Sequence, residues 1–375
     1  MTDGKGVSRF SGRLMAGCCF ALVILRWCLA VPPIRYSGVR QNDEMTNLLS
    51  DCRYGRLFQK HLSNIQEDFS ITYSMQILSQ YLGLVRFSHT LFALPFALLS
   101  YAMAHFTTPL VAFRGLDFVG ILLCMVFARS AAMGFNRFAD RQIDAENPRT
   151  VARHLPSGTL SPKNVLLFVL FCSIGFIAST LLFLPNRIPL FASVPVLLFL
   201  FGYSYTKRWT VAAHFWLGFS LMLAPLAAWV VVRPVLFPVP IPPLLLGLAV
   251  LFWTVGFDLI YAAQDADIDQ QQGLHSIPGK YGITAAFRLS ALCHVAAVIL
   301  WGILPMFYEP FGTVYGIGIG LAAVILAAEH YLIIPRCNGP VNVQRINIAF
   351  FQLNIFVSMG LFAVGIFELI RFAGK

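Results

Sequence analysis

Apolar runs of about twenty residues follow one another through most of the chain, each closed by a short polar joint or by proline and glycine. A helix of that length crosses the hydrocarbon of a bilayer. The runs predict nine spans, at about 87–107, 116–136, 164–184, 189–206, 213–232, 241–262, 285–305, 311–335 and 347–370. The third and fourth are separated by little more than Leu184-Pro185-Asn186, which predicts a tight hairpin. The expected fold class is therefore all-α, an integral membrane bundle of nine transmembrane helices. Residues 1–75 break the pattern, because the apolar stretch Leu14–Val31 is interrupted by Arg26 and a long polar segment follows. A signal peptide, a tenth span or a translated upstream region would each account for it. The functional chain is expected to begin near Met45 or Met75, leaving 1–75 as an N-terminal extension and 76–375 as the transmembrane domain.

Composition agrees with the pattern: 58% of residues are hydrophobic and 12% charged, against about 25% charged in soluble domains. The net charge of +10 does not point to nucleic acid, since the bases lie mostly in short loops between apolar runs. Loops after the even-numbered spans carry eleven bases, whereas those after the odd-numbered spans carry only Arg114, Arg187 and Arg233. The positive-inside rule puts the even loops and the N-terminal side in the cytoplasm, as in a multi-pass protein of a bacterial-type inner membrane. A secretory signal at the N-terminus would contradict that orientation. Eight scattered cysteines form no C-x-x-C pair and read as packing thiols rather than zinc ligands or a disulfide framework.

Against this background two acidic clusters stand out, both on the expected cytoplasmic side. Carboxylates near lipid are costly and mark function by default. Asn136, Asp140 and Asp144 recur every four residues and would line one helix face as the second span ends. One amide and two carboxylates can hold Mg²⁺, which takes few protein oxygens and completes its shell with water and substrate phosphate. Arg137, Arg141, Arg149 and Arg153 crowd the same segment, and arginine's planar fork suits phosphate. The second cluster, Asp258, Asp265 and Asp269, is spaced seven and four residues apart, again one face if the helix continues. Asp265-x-Asp267-x-Asp269 is not a calcium loop, because Gln270 stands at the glycine position and Ser276 where the bidentate acid belongs. Two such faces on one side of the membrane point to a paired-metal site for a diphosphate.

The run Arg129–Gly134, Phe135-Asn136-x3-Asp140-Arg141-x2-Asp144, with Asn147-Pro148-Arg149-Thr150-x2-Arg153-His154-Leu155-Pro156-Ser157-Gly158 after it, resembles the intramembrane aromatic prenyltransferases. Among these the 4-hydroxybenzoate polyprenyltransferases of quinone biosynthesis are the nearest in pattern. Tyr203-x3-Lys207-Arg208, Asp258-x6-Asp265-x3-Asp269 and Gly273-Leu274-His275-Ser276-Ile277-Pro278 match in order, so the resemblance spans roughly residues 80–370. It implies that Asn136, Asp140 and Asp144 form one Mg²⁺ half-site and Asp258, Asp265 and Asp269 the other. Asp140, Asp144, Asp265 and Asp269 would be catalytic. Arg141, Lys207 and Arg208 would contact a polyprenyl diphosphate beside Tyr203. One departure is Arg137, where many benzoate enzymes have aspartate. Together with Ser88–Pro95 it suggests a subgroup that prenylates 1,4-dihydroxy-6-naphthoate on a menaquinone route.

The implied chemistry is ionisation of an allylic C–O bond, aided by metal and cationic side chains at the departing oxygens, then attack by an electron-rich ring with water excluded. An aromatic acid acceptor needs a cation for its carboxylate, and Arg86, Arg137 and Arg153 are candidates. Phe135, Phe138, Tyr203 and Tyr205 could face the allyl cation. His89, His214 and His294 read as interhelical hydrogen-bonding residues rather than metal ligands. Haem O synthase is an alternative within the class, and an ion-coupled transporter is the alternative outside it. A transporter's acids belong near the bilayer midplane, whereas these cluster at cytoplasmic ends.

Overall fold

The computed structural model describes residues 79–85, 92–107, 113–333 and 343–374. The expectations for residues 1–75, and for Arg86 and His89, fall outside them. Residues from Leu82 onward form one compact unit. Its described residues are all helical or loop, without a strand. The long helices are α1 (Leu94–Phe106), α2 (Gly115–Ala139), α4 (Pro162–Thr180), α5 (Ile188–Trp209), α6 (Ala213–Val232), α7 (Ile241–Ala262), α10 (Ile283–Phe307), α11 (Thr313–Ile333) and α13 (Asn354–Ala373). The short ones are α3 (Arg141–Glu146), α8 (Ala266–Gln271), α9 (Ile277–Tyr281) and α12 (Val343–Asn347).

Among the described residues eight helices are long and apolar enough to cross a membrane, and seven of them begin and end within a few residues of the expected spans. The eighth, expected at 241–262, runs on to Gln271 through a 3₁₀ turn, Ala263–Asp265. The first expected span is represented by α1, only 13 residues long, with part of its predicted length outside the described residues. The 3₁₀ turn Leu181–Phe183 closes the α4–α5 hairpin.

The bundle is organised around α7, two-thirds of which is buried, against roughly a third for most other spans. An apolar helix buried on nearly all sides belongs in the middle of a bundle. Elsewhere one face of each helix is apolar and exposed, for example Leu167, Leu170 and Ile174 on α4 and Ile317, Leu321 and Val324 on α11. In a bilayer those faces meet lipid. Small residues let α7 sit close to its neighbours, as is usual where lipid supplies no hydrophobic drive between helices. A Cβ on Gly218 of α6 would lie 2.8 Å from the Leu251 carbonyl, and one on Gly256 would lie 2.1 Å from the His294 ring of α10. Gly256→Ala is therefore expected to cost about 1–3 kcal/mol through overpacking, read as a lower thermal midpoint of the detergent-solubilised protein. His294 in turn hydrogen-bonds His330 of α11 at 2.9 Å, the interhelical role expected of it. Cys172 and Cys293 are buried and unbridged.

Candidate active site

Both acidic clusters sit where a helix breaks. Asp140 interrupts the step from α2 to α3, although the helical bonds Asp140 N to Asn136 O (2.9 Å) and Asp144 N to Asp140 O (2.7 Å) persist across it. The second cluster spans the end of α7, the 3₁₀ turn and α8. Each expected straight face is thus interrupted, and Asp144, Asp265 and Asp269 are buried. Gln272 ties the two segments together, donating to Ile143 O at 3.2 Å. Beyond it Gly273 takes φ +67°, a left-handed conformation that glycine adopts without steric cost. Ser276 then caps α9, accepting from Gly279 N at 3.2 Å.

One cavity of about 230 Å³ brings these elements together. Asn136, Arg137, Asp140, Asp144, Arg153, Tyr203, Lys207, Arg208, Asp258, Asp265 and Asp269 all line it. Of the motif residues assigned to metal and diphosphate, Arg141 alone does not line it. It stacks over Phe138, 4.4 Å from the ring centroid, and donates to the Phe138 carbonyl at 2.7 Å. Of the four aromatic residues considered for the cation, Tyr203 alone faces the cavity.

Every motif aspartate has a basic neighbour. Asp140 accepts from Asn136 Nδ2 at 2.8 Å and lies 3.4 Å from Arg208. Asp144 Oδ1 accepts from Arg153 at 2.6 Å, with Arg137 4.0 Å from its other oxygen. Lys207 is 3.7 Å from Asp269, and Asp258 pairs with the fully buried His214 of α6 at 2.7 Å. His214 is thus the interhelical hydrogen-bonding group anticipated. Asp265 holds Arg149 through both carboxylate oxygens, one bond to Nε at 2.7 Å, and also accepts from Asn147 Nδ2 at 3.3 Å.

Sequence alone gives no specific role to Arg149 or Asn147. The signal is present in Asn147-Pro148-Arg149, but its meaning lies in the turn. Asn147 Oδ1 accepts from Arg149 N at 2.9 Å, an Asx turn. The Arg149 side chain then reaches back to Asp265 and the Tyr261 hydroxyl, 3.1 Å away. Arg129 is likewise beyond the reach of spacing arguments. It lines the cavity from within α2, and its buried Nε has no hydrogen-bond partner.

Burial pushes the Asp140 carboxyl above the ordinary carboxylate range and the neighbouring Asp144 adds to this, while Lys207 and Arg208 pull it back. An incoming cation would relieve that repulsion. Asp144 Oδ2 and Asp269 Oδ2 are buried yet accept no hydrogen bond. Among the described residues no three His, Cys, Asp or Glu side chains converge into a ready-made metal cage. Hard oxygen donors with unused lone pairs, set among bases, fit Mg²⁺ held by a few carboxylates and completed by phosphate oxygens.

A second cavity, also about 230 Å³, adjoins the first and shares Arg129, Met133, Asn136, Tyr203, Leu217 and Leu221 in its walls. The rest of its lining is almost wholly apolar, with small residues such as Ala128, Ala132 and Ala192. The site is therefore a charged chamber joined to an oily one.

Residues 93–355 match the UbiA prenyltransferase family. The 4-hydroxybenzoate octaprenyltransferase of Shewanella halifaxensis is 32% identical over 234 residues, 60% of this chain and 75% of that protein. That of Shewanella oneidensis is 32% identical over 250 residues, covering 64% and 81%. Among solved structures, a UbiA homologue from Aeropyrum pernix K1 superposes with TM-score 0.64 at 28% identity, over 74% of this chain and 97% of that one. A UbiA homologue from Archaeoglobus fulgidus, bound to GPP and Mg²⁺, shares the fold with TM-score 0.57 at 20% identity, over 78% and 99%.

Proposed function

Since the chain belongs to the UbiA prenyltransferase family, we propose that it is an Mg²⁺-dependent transferase moving a polyprenyl group from its diphosphate to an aromatic acid of the 4-hydroxybenzoate type. The observation that carries the reading is the junction of a chamber lined by both aspartate clusters and their bases with an apolar one. A polyprenyl diphosphate has that same division between a multiply charged head and a hydrocarbon tail. The relatives' names and the GPP and Mg²⁺ bound by the archaeal homologue support donor and metal alike.

Bound Mg²⁺ would supply charge neutralisation at the diphosphate, held by Asp140 and Asp144 on one side and Asp265 and Asp269 on the other. Asn136 and Asp258 complete the two sets. Lys207, Arg208 and Arg153 stand among those carboxylates and would bind the remaining diphosphate oxygens. Fixed cations in a water-poor chamber need no reorganisation as the leaving group gains charge. Tyr203 sits at the junction of the two chambers, where the reacting carbon would lie. Arg137 and Arg129, which also line the chamber, would receive the acceptor's carboxylate. The alternation of basic loops supports a site on the cytoplasmic face of the membrane.

The test uses membranes containing the protein, Mg²⁺ and a long-chain prenyl diphosphate, offered 4-hydroxybenzoate and 1,4-dihydroxy-6-naphthoate in parallel. Prenylated benzoate is the expected product. Prenylated naphthoate alone would move the enzyme to the menaquinone subgroup that Arg137 suggests, and product from neither would overturn the acceptor class. Removing the metal with a chelator is expected to abolish turnover, restored by adding Mg²⁺.

A further inference from the structure

Between α12 and α13 the helix widens into one π turn, Ile348–Leu353. Such turns are rare and occur often at functional sites, because the extra residue re-aims the side chains around it. Widening also displaces backbone carbonyls, which must find donors in a membrane interior. Asn354 provides them. It is fully buried, and its Nδ2 lies 3.1 Å from the Ala349 carbonyl and 3.2 Å from that of Phe350, five and four residues back. The same nitrogen faces Glu329 Oε1 of α11 at 3.2 Å, while Asn354 Oδ1 accepts from Trp253 Nε1 of α7 at 2.6 Å. Glu329 is also fully buried. An acid and an amide in the hydrophobic interior of a bundle are costly groups that call for a purpose. None of the donor chemistry above uses them.

What this network holds in place is Phe350. Its ring reaches the charged chamber, whose wall there is aromatic: Phe92, Phe257, Tyr261 and Phe350 all line it. Phe350 packs on Tyr261 with centroids 4.4 Å apart, on Phe257 at 5.4 Å and on Phe92 at 5.6 Å. Tyr261 in turn meets the Arg149 guanidinium. The diphosphate has no use for such a wall, and the tail already has an apolar chamber. A flat, electron-rich aryl acid does, since ring faces and edges attract one another beyond simple burial.

Building on the function proposed above, we propose that Phe350 is a specificity-determining residue for the aromatic acceptor, and that Asn354 is the positioning residue that sets it by clamping the π turn. The acceptor's ring packs against Phe350, so the size of that side chain sets how many fused rings the chamber admits.

The experiment compares wild type with Phe350→Ala, Phe350→Trp and Asn354→Leu, using the one-ring acid and the two-ring acid, with donor affinity followed separately by titration with the prenyl diphosphate and Mg²⁺. Phe350→Ala is expected to raise the KM of the acceptor that wild type uses by about tenfold and to shift kcat/KM toward the two-ring acid. Phe350→Trp should shift it toward the one-ring acid. Asn354→Leu should move the acceptor KM in the same sense as Phe350→Ala, with donor affinity unchanged within about twofold, a split that general loosening of the bundle would not produce. Equal shifts for donor and acceptor, or an unchanged acceptor preference in both Phe350 variants, would overturn the proposal. Wild type that binds donor yet uses neither acid would instead remove the functional reading on which it rests.

Discussion

Asp265→Asn and Asp140→Asn variants are expected to reach the membrane at wild-type levels and to lose turnover by roughly 10²–10³-fold at saturating donor and Mg²⁺. The two substitutions act on different half-sites but on one physical quantity, the negative charge available to a cation that bridges the diphosphate. Asparagine keeps the shape and one oxygen, so packing around the chamber is preserved. Both side chains line the cavity, so each substitution alters the chamber wall without changing its volume. Asp265→Asn has a second consequence, because it removes the carboxylate that grips Arg149 on both oxygens. Pairing it with Arg149→Gln should therefore be non-additive: neighbours in one network share their loss. Product formed per mole of inserted protein decides the matter. Full activity in both aspartate variants would sink the assignment of the clusters to metal and diphosphate.

The spans were legible because lipid imposes a simple rule on composition, and a run of twenty apolar residues obeys it whatever its neighbours do. The clusters were legible for the converse reason, since charge at the membrane needs explaining. Less legible was what the chain does between them. Helical spacing alone predicts straight faces through Asp144 and Asp269, yet the helices break at Asp140 and at Ala263–Asp265. Arg149 and Arg141 both crowd the first cluster, and of the two the resemblance assigned only Arg141 to the diphosphate. Only the Asx turn at Asn147 gives the first to Asp265, while the second folds back onto Phe138. The aromatic wall is invisible in sequence for a similar reason: with 34 phenylalanines in the chain, no spacing marks out Phe350. A π turn depends on Glu329 and Trp253, which lie 25 and 101 residues from the amide they meet.

The apolar chamber yields the second large effect, and its physics differs from that of a water-soluble binding site. The donor's tail comes from lipid, so burying it in the protein brings no hydrophobic gain; the chamber offers passage rather than affinity. A plug should therefore act by steric exclusion, and its effect should depend on tail length. Ala132 lies on α2 one turn before Asn136 and lines the apolar chamber close to its junction with the charged one. Ala132→Phe fills that passage. Forcing a long tail past the new ring carries an overpacking penalty of about 1–3 kcal/mol, which lowers kcat/KM for a long-chain donor roughly 5–150-fold. Dimethylallyl diphosphate, with a single isoprene unit, ends before the obstruction and should be transferred within about threefold of wild type. The same protein preparation thus provides its own control for folding and for the charged chamber. Equal loss with short and long donors would mean that the tail does not run through this chamber, and the oily cavity would then need another occupant.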